Sequence, residues 1–483
     1  MLAATLSLDD DFQACSQSGK TVRFGGSHVE AFTSTVIDIH LRIEPDCAEI
    51  WVGEDASPDD SSEPLVRRID QYRETRSFEG LRIAISRKEG KPRVDIARTR
   101  AGGCPIYVST SGTSLTVSWR FEEAALAIPQ RKPSHEACTR YLKLGPRPVR
   151  EQVIEGLFML WPGEALTFDH DGLRFSHAKT LEVVVPGSLT DHARVSDAFV
   201  ELLAEALQPA LAKARNPLVE VSGGYDSSCV AIAASSVRSG LNSYAVIHEG
   251  AIGAQQQRRR REIVQLLGLS DFVRPSNKPP PFESLQVPEC SFTPLDDVYR
   301  LACIHAVEEH PAGPFDLAVT GIGGDEITKE NTFHREDWEV PGSICSSAAD
   351  AAAGRSDMFM RRGIWLVQPF VNQNVVDFCR ALPRKLRAER MLNILTLARA
   401  GLSDGYIFPR YYEHYANVIG REASLIDFDD MFQESLLGDL GIMDVSAILW
   451  RAREGTRDGL ELALVVELWL ALKLDGVLRR YLN

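Results

Sequence analysis

The stretch Val219-Glu220-Val221-Ser222-Gly223-Gly224-Tyr225-Asp226-Ser227-Ser228 decides how this chain is read. An apolar run feeds a Ser-Gly-Gly turn, an acidic residue and two hydroxyls, and a helical run, SSCVAIAASSVRSG, begins there. Glycines let backbone approach an anion closely, and the amides of the turn and of the helix N-terminus point the positive end of the dipole at it. Val221, Ser222, Gly223, Gly224, Ser227 and Ser228 are therefore candidates for cradling a pyrophosphate. No lysine follows the glycines, so this is not the G-x-x-x-x-G-K-[ST] loop, and Asp226 is the candidate magnesium ligand. The bland alternative is a glycine-rich strand-to-helix turn with no ligand; a carboxylate and hydroxyls crowded around the glycines weigh against it.

On either side of this unit the chain alternates. Strand PLVEVS, strand SYAVIHE (which carries Val246) and strand DLAVTG are separated by the helical runs SSCVAIAASSVRSG, QQRRRREIVQLLGL and LDDVYRLACIHAVEEH. Strands interleaved with helices predict a parallel sheet covered on both faces. The third strand runs into Thr320-Gly321-Ile322-Gly323-Gly324-Asp325-Glu326, a second glycine-rich turn ending in acids. Parallel strands end on one edge of a sheet, so this turn can face the first, and Asp226 and Asp325 can share a magnesium ion. Beyond residue 330 the chain reads as mostly helical, ending in GLELALVVELWLALKLDGVLRRYL.

The first half reads differently. STVIDIHLRI, AEIWVGE, LRIAISR, RVDIAR, PIYVSTSG, LTVSWR, ALTFD and LEVVVP are short β-branched or aromatic runs parted by turn residues. SHEACTRYLKLG is a short helix among them. From Asp191 the period turns helical, with Phe199, Leu202, Leu203, Leu207 and Leu211 on one face. This gives an α+β sheet domain over 1–188 and an α/β domain with a helical C-terminal part over 189–483.

Composition narrows the partners. At 483 residues the chain exceeds one ordinary core. With 44% apolar and 25% charged residues it is an ordinary water-facing chain, and no apolar run reaches the roughly 18 residues that span a bilayer. MLAATLSLDDDF lacks the basic start of a secretory signal, so the expectation is a cytoplasmic protein without a membrane partner. A formal charge of -14 argues against nucleic acid. Nine scattered cysteines without a C-x-x-C pair suggest neither a disulfide framework nor a zinc site.

The two turns, in this order, resemble the synthetase domain of the asparagine synthetase family, with its Ser-Gly-Gly-x-Asp-Ser PP-loop and its Gly-x-Gly-x-Asp-Glu turn. Pro369-Phe370 followed by VVDFCRALPRKLR resembles the family's Pro-Phe-Leu-Asp segment, and RTRAGGCPIYVSTSGTSLTVSWRFEEAAL and VIEGLFMLWPGEALTFDHDG resemble the end of its glutaminase-like domain. The likeness covers roughly residues 80 to 420. It implies an N-terminal Ntn-type sheet domain and a PP-loop domain of the adenine nucleotide α-hydrolase type. It also implies ATP and Mg2+, adenylation of a carboxylate, release of pyrophosphate and capture of the acyl-adenylate by an amine. On the same ground Val221, Ser222, Gly223, Gly224, Asp226, Ser227, Ser228, Val246, Thr320, Gly321 and Gly324 hold the nucleotide, and Asp226 and Asp325 hold the metal.

The departures narrow the expectation. Glutamine-hydrolysing members carry a catalytic cysteine after the initiator methionine, and here that place holds Leu2. Ile322 replaces a glutamate or tyrosine, and Trp365 aligns with a glutamate before Pro-Phe, which points to an apolar acceptor pocket with the amine activated by Glu326 or Glu413. The family's late lysine has no clear match, and Arg410 is its nearest substitute. Lasso peptide cyclases are the members resembled in outline, with a peptide or small-molecule carboxylate and amine as substrates and a protease or leader-binding protein as partner. Two other readings compete: a PP-loop enzyme of tRNA modification, and a catalytically inactive, partner-binding homologue. Arg258 to Arg261 could grip an acidic peptide or the nucleotide but read first as a solvated helix face; Tyr411, Tyr412, His414 and Tyr415 could line a substrate cleft but read first as core aromatics; His248 and His305 read as structural.

Overall fold

The computed structural model describes residues 1–54, 78–88, 91–146, 149–177, 192–295, 299–328, 346–411, 416–455 and 460–482. The run LEVVVP and the 188/189 boundary lie outside the described residues. The protein is a mixed α/β structure with three sheets among the described residues.

Two sheets fill the first half, and both are antiparallel. One has the order β11 (Phe158–Met159), β9 (Tyr107–Ser111), β10 (Ser114–Ser118), β1 (Leu2–Ser7), β4 (Ser27–Ala31), β3 (Thr21–Phe24), β2 (Ser16–Ser18). The other has the order β13 (Gly172–His177), β12 (Glu164–Asp169), β8 (Lys91–Arg98), β7 (Gly80–Lys88), β6 (Cys47–Gly53), β5 (Asp38–Glu44). Alternate residues of each, such as Leu2, Ala4 and Leu6 or Ile83 and Ile85, join one apolar cluster, as period-two side chains must when one face is covered. Strand β1 sits in the middle of its sheet, although LAATLS carries too weak an alternation to announce a strand.

The third sheet is wholly parallel, in the order β16 (Ser270–Pro275), β15 (Asn242–Ile247), β14 (Pro217–Glu220), β17 (Leu317–Val319), β18 (Trp365–Val367). From β14 the chain winds outward through β15 and β16, then returns to the other side of β14 for β17 and β18. The winding therefore reverses between β14 and β17, and such a reversal opens a crevice at the carboxyl ends of the strands. Alternate residues of β14 enter different cores. Val219 meets helices His192–Lys213 and Tyr225–Val237 on one face, and Leu218 meets helices Arg300–Glu308 and Ser346–Met360 on the other. The helix Leu462–Leu482 packs Trp469 and Leu478 into a further core shared with Phe121 and Tyr141 of the first half. No helix among the described residues is long and apolar enough to cross a membrane.

The sheets of the first half abut edge strand β18. Trp365, 2% exposed, donates its indole N–H to Glu54 Oε1 at 2.8 Å, and its ring lies 5.9 Å from that of Phe32. Glu54 Oε2 accepts the Glu79 amide at 3.2 Å. Burial, helped by the charge of Glu79, pushes the Glu54 carboxyl from 4.5 up to about 7 against the Trp365 bond. The native state then keeps a proton that the unfolded chain releases at about 4.5, so stability declines as pH rises between these values and levels off above about 7. Glu54→Gln keeps an acceptor for Trp365 and needs no proton. Its amide nitrogen cannot accept from the Glu79 amide, so in thermal melts it should be the less stable of the two in acid and gain on the parent by up to about 3 kcal/mol as pH rises past neutral. Parallel pH dependences in the two proteins would show that Glu54 is not buried as a neutral acid.

Candidate active site

The crevice between β14 and β17 is where the two glycine-rich turns meet. Gly223 has φ +90, a left-handed backbone that only glycine adopts freely, and a Cβ there would press on Arg260 Cγ at 3.3 Å. Gly224 caps the helix Tyr225–Val237, and no side chain takes up the amides at that end as a cap. Ser222 Oγ accepts the Gly224 amide at 3.1 Å and meets Ser227 Oγ at 3.0 Å, which holds the turn open around its centre. Gly321 completes the fit: a Cβ on it would lie 2.6 Å from the Ser227 amide nitrogen, so any larger residue would force the turns apart. Gly324 is as constrained, against the Asp226 carboxylate.

A cleft of about 280 Å³, partly open to solvent, lies over this junction. Ser222, Gly224, Asp226, Ser227, Gly321 and Asp325, all candidates from the sequence, line it. Val221, Thr320 and Val246 are buried beneath the rim. Ser228 is fully buried and anchors the helix start, with its hydroxyl bonded to Gly224 O at 2.5 Å and paired with Tyr406.

Asp226 and Asp325 approach one another, the first 15% exposed and the second 55%. Burial, and then the charge and hydrogen bond of Asp325, push the Asp226 carboxyl well above the usual range, while Arg390 and Asn393 pull it back. Arg390 faces both carboxylates, 3.6 Å from Asp226 Oδ2 and paired with Asp325. Asn393 Nδ2 donates to Asp226 Oδ1 at 2.6 Å. No cluster of three or more His, Cys, Asp or Glu that suits a metal occurs among the described residues. Two carboxylates needing positive charge do fit magnesium, which takes one or two protein carboxylates and completes its shell with phosphate oxygens and water.

Arg259, one of the run Arg258 to Arg261, and Arg390, which the sequence did not single out, belong to this cleft. Arg259 lines it, 5% exposed, with Nε donating to Tyr406 O at 2.9 Å and its guanidinium 4.7 Å from the Tyr406 ring and 5.4 Å from that of Tyr225. The reading of Arg258 to Arg261 as a solvated face is thus corrected. Arg259 and Arg260 turn inward, with Arg260 paired to Asp271, and only Arg258 and Arg261 are exposed, because successive helix residues step round by about 100°. Arg390 is aimed by an unusual backbone: Glu389 (φ 50) and Arg390 (φ 61) both adopt left-handed conformations before helix Met391–Arg399. Non-glycine residues hold this conformation at a cost, which the packing around the segment must offset.

Other expectations fail here. Arg410 is exposed, its guanidinium 5.5 Å from the Tyr411 ring, and its amide donates to Gln255 Oε1 at 2.8 Å. It does not line the cleft, because the turn that brings Pro409 and Tyr411 to the rim faces residue 410 outward. Trp365 opens β18 at the opposite end from the crevice and is tied to Glu54, so it does not line an acceptor pocket, whereas Ile322 lines the cleft as expected. Glu326, on the short helix Gly324–Thr328, stays outside the lining. Glu413, Tyr412, His414 and Tyr415 lie outside the described residues.

No family model matches the chain, and no curated protein sequence matches it. Among solved structures it matches a glutamine phosphoribosylpyrophosphate amidotransferase from B. subtilis complexed with ADP and GMP, at 9% identity and a TM-score of 0.18. That match covers 52% of this chain and 60% of the other, so the chain spans less than two thirds of its length. At so low a TM-score the likeness carries no inference about either activity.

Proposed function

We propose that the chain is an ATP-dependent, AMP-forming amide synthetase with the plan of the asparagine synthetase family: a PP-loop domain preceded by a glutaminase-like sheet domain that lacks its nucleophile. The observation that carries this reading is the meeting of the Ser222–Ser228 and Thr320–Asp325 turns at the sheet's reversal point, with two carboxylates and two arginines in one cleft. The substrate carboxylate oxygen attacks the α-phosphorus, the bond to the β-phosphate oxygen breaks, and pyrophosphate leaves. The amine then attacks the acyl carbon and AMP departs. Amides at the start of helix Tyr225–Val237, with Arg259 and Arg390, take up the leaving pyrophosphate. Asp226 and Asp325 would hold Mg2+, whose charge would offset that of the triphosphate. Ile322 and Tyr411 in the cleft, with Phe408 beside it at 64% exposure, favour an apolar or extended substrate, as in modified-peptide or other natural product biosynthesis.

Pyrophosphate release from MgATP, measured against panels of carboxylic acids and peptides with amine donors, tests the reading. Release that depends on the carboxylate supports it. Absence of both nucleotide binding and release across the panel leaves the partner-binding alternative. Glutamine should yield no glutamate, because the side chain at Leu2 cannot attack an amide. Glutamate release that survives purification would restore a working glutaminase site.

A further inference from the structure

Glu220 closes β14 two residues before the Ser222 turn and lines the cleft. In the parallel register it pairs with Tyr244 on β15, and the β14–β17 register places it beside Thr320. Its near neighbours Tyr244 and Thr320 are fully buried. Glu220 Oε2 is shielded from water and has no hydrogen-bond partner among the described residues, and the same holds for Thr320 Oγ1. Burial first, and then the charge of Glu220 and a hydrogen bond toward it, push the Tyr244 phenol well above its ordinary value, so this neighbour stays neutral and gives the carboxylate no counterion. The cleft's cations are engaged elsewhere, Arg259 with the Tyr406 carbonyl and Arg390 with Asp226 and Asp325.

A carboxylate offers about four acceptor sites, so beside the Tyr244 phenol Glu220 keeps Oε2 for a ligand that brings a donor into the cleft. That ligand group cannot be a phosphate, which carries the same sign of charge. Two residues of strand place Glu220 roughly 6–7 Å from the anion-cradling turn. A ribose attached through its 5′ phosphate spans about this reach, and vicinal hydroxyls suit the two oxygens of a carboxylate, as acidic residues at the ends of other parallel strands hold a ribose. We infer that Glu220 reads the sugar of the bound nucleotide, accepting hydrogen bonds from its 2′- and 3′-hydroxyls with Thr320 beside it. The inference rests on the nucleotide reading given above and extends it to a residue that sets specificity.

Titration calorimetry with the magnesium complexes of ATP, 2′-deoxy-ATP and 3′-deoxy-ATP tests it in the full-length protein, Glu220→Leu and Glu220→Gln. The parent should bind one or both deoxy forms roughly ten- to hundredfold more weakly than ATP, the worth of a hydrogen bond to a charged group. Glu220→Leu should bind ATP more weakly and show no more than about a twofold preference among the three, since hydroxyl and acceptor are lost from the same pair. Glu220→Gln keeps one acceptor oxygen and should fall between; thermal melts check folding, and it carries the comparison alone if the leucine variant does not fold. Equal preference in parent and variants, or no preference in the parent, overturns the assignment while leaving ATP binding in place. Retained sugar preference with lost discrimination against GTP would mean that Glu220 reads the base instead, and also overturns it. Failure of the parent to bind any of the three nucleotides would sink the nucleotide reading itself.

Discussion

Asp226→Asn is expected to abolish pyrophosphate formation while leaving the ligand-free protein as stable as the parent or more so. The carboxylate is buried against Asp325, and its pKa is raised by burial first and by that neighbour second. In the unliganded protein its charge is a burden that only Arg390 and Asn393 relieve. An amide of the same shape removes the burden, and a gain of about 1–2 kcal/mol in stability follows. The same change removes an anionic ligand from the magnesium site and should cost about a thousandfold or more in rate, the equivalent of some 4 kcal/mol. Because the raised pKa lets Asp226 hold a proton when no cation is bound, binding of magnesium nucleotide must release it. Affinity in the parent should therefore strengthen as pH rises through the elevated range, and the variant should lose this dependence. Thermal melts, a pyrophosphate assay and titration across pH check the three parts. Near-parental turnover would remove Asp226 from the mechanism.

The second large effect separates three arginines. Arg390→Ala and Arg259→Ala should each lower turnover by about a hundredfold or more, in line with the loss of one preorganised donor to developing charge. Arg410→Ala should stay within about twofold, because its guanidinium is exposed and turned onto Tyr411, outside the cleft lining. Arg390→Lys should recover only part of the loss, since an ammonium cannot span Asp226 and Asp325 as a planar fork does. Arg259 also packs on Tyr225 and Tyr406, so its variant needs a melting curve beside the assay. A large defect in Arg410→Ala with a mild one in Arg390→Ala would place the anion-neutralising charge on the Arg410 turn.

The chemistry of the first turn was legible because it is local. A strand, two glycines and a helix start within ten residues fix the left-handed Gly223, the open amides and the place of Asp226, whatever the rest of the chain does. The helical period after Asp191 was legible for the same reason, since Phe199, Leu203, Leu207 and Leu211 lie on successive turns of one helix and are all buried. Strands β16 and β18 escaped notice: one is polar and largely exposed, and the other is a three-residue run that reads equally well as part of a helix.

What the tertiary structure alone decided depends on pairings between residues far apart in the chain. The strand order puts β17 beside β14 across about a hundred residues, and this brings Gly321 onto Ser227 and Asp325 toward Asp226. Arg259 and Arg260 are buried because helix Gly250–Leu267 packs that face against the first turn, which four consecutive arginines cannot reveal. Trp365 was misplaced by alignment because its role is set by Glu54, 311 residues away, and not by the Pro-Phe that follows it. Arg390 reaches the carboxylates through two left-handed residues with no glycine to announce them. Sequence spacing reports contacts whose geometry the backbone fixes within a turn or two, whereas the counter-charges of this cleft are supplied by packing, which can hold a side chain in place at any separation along the chain.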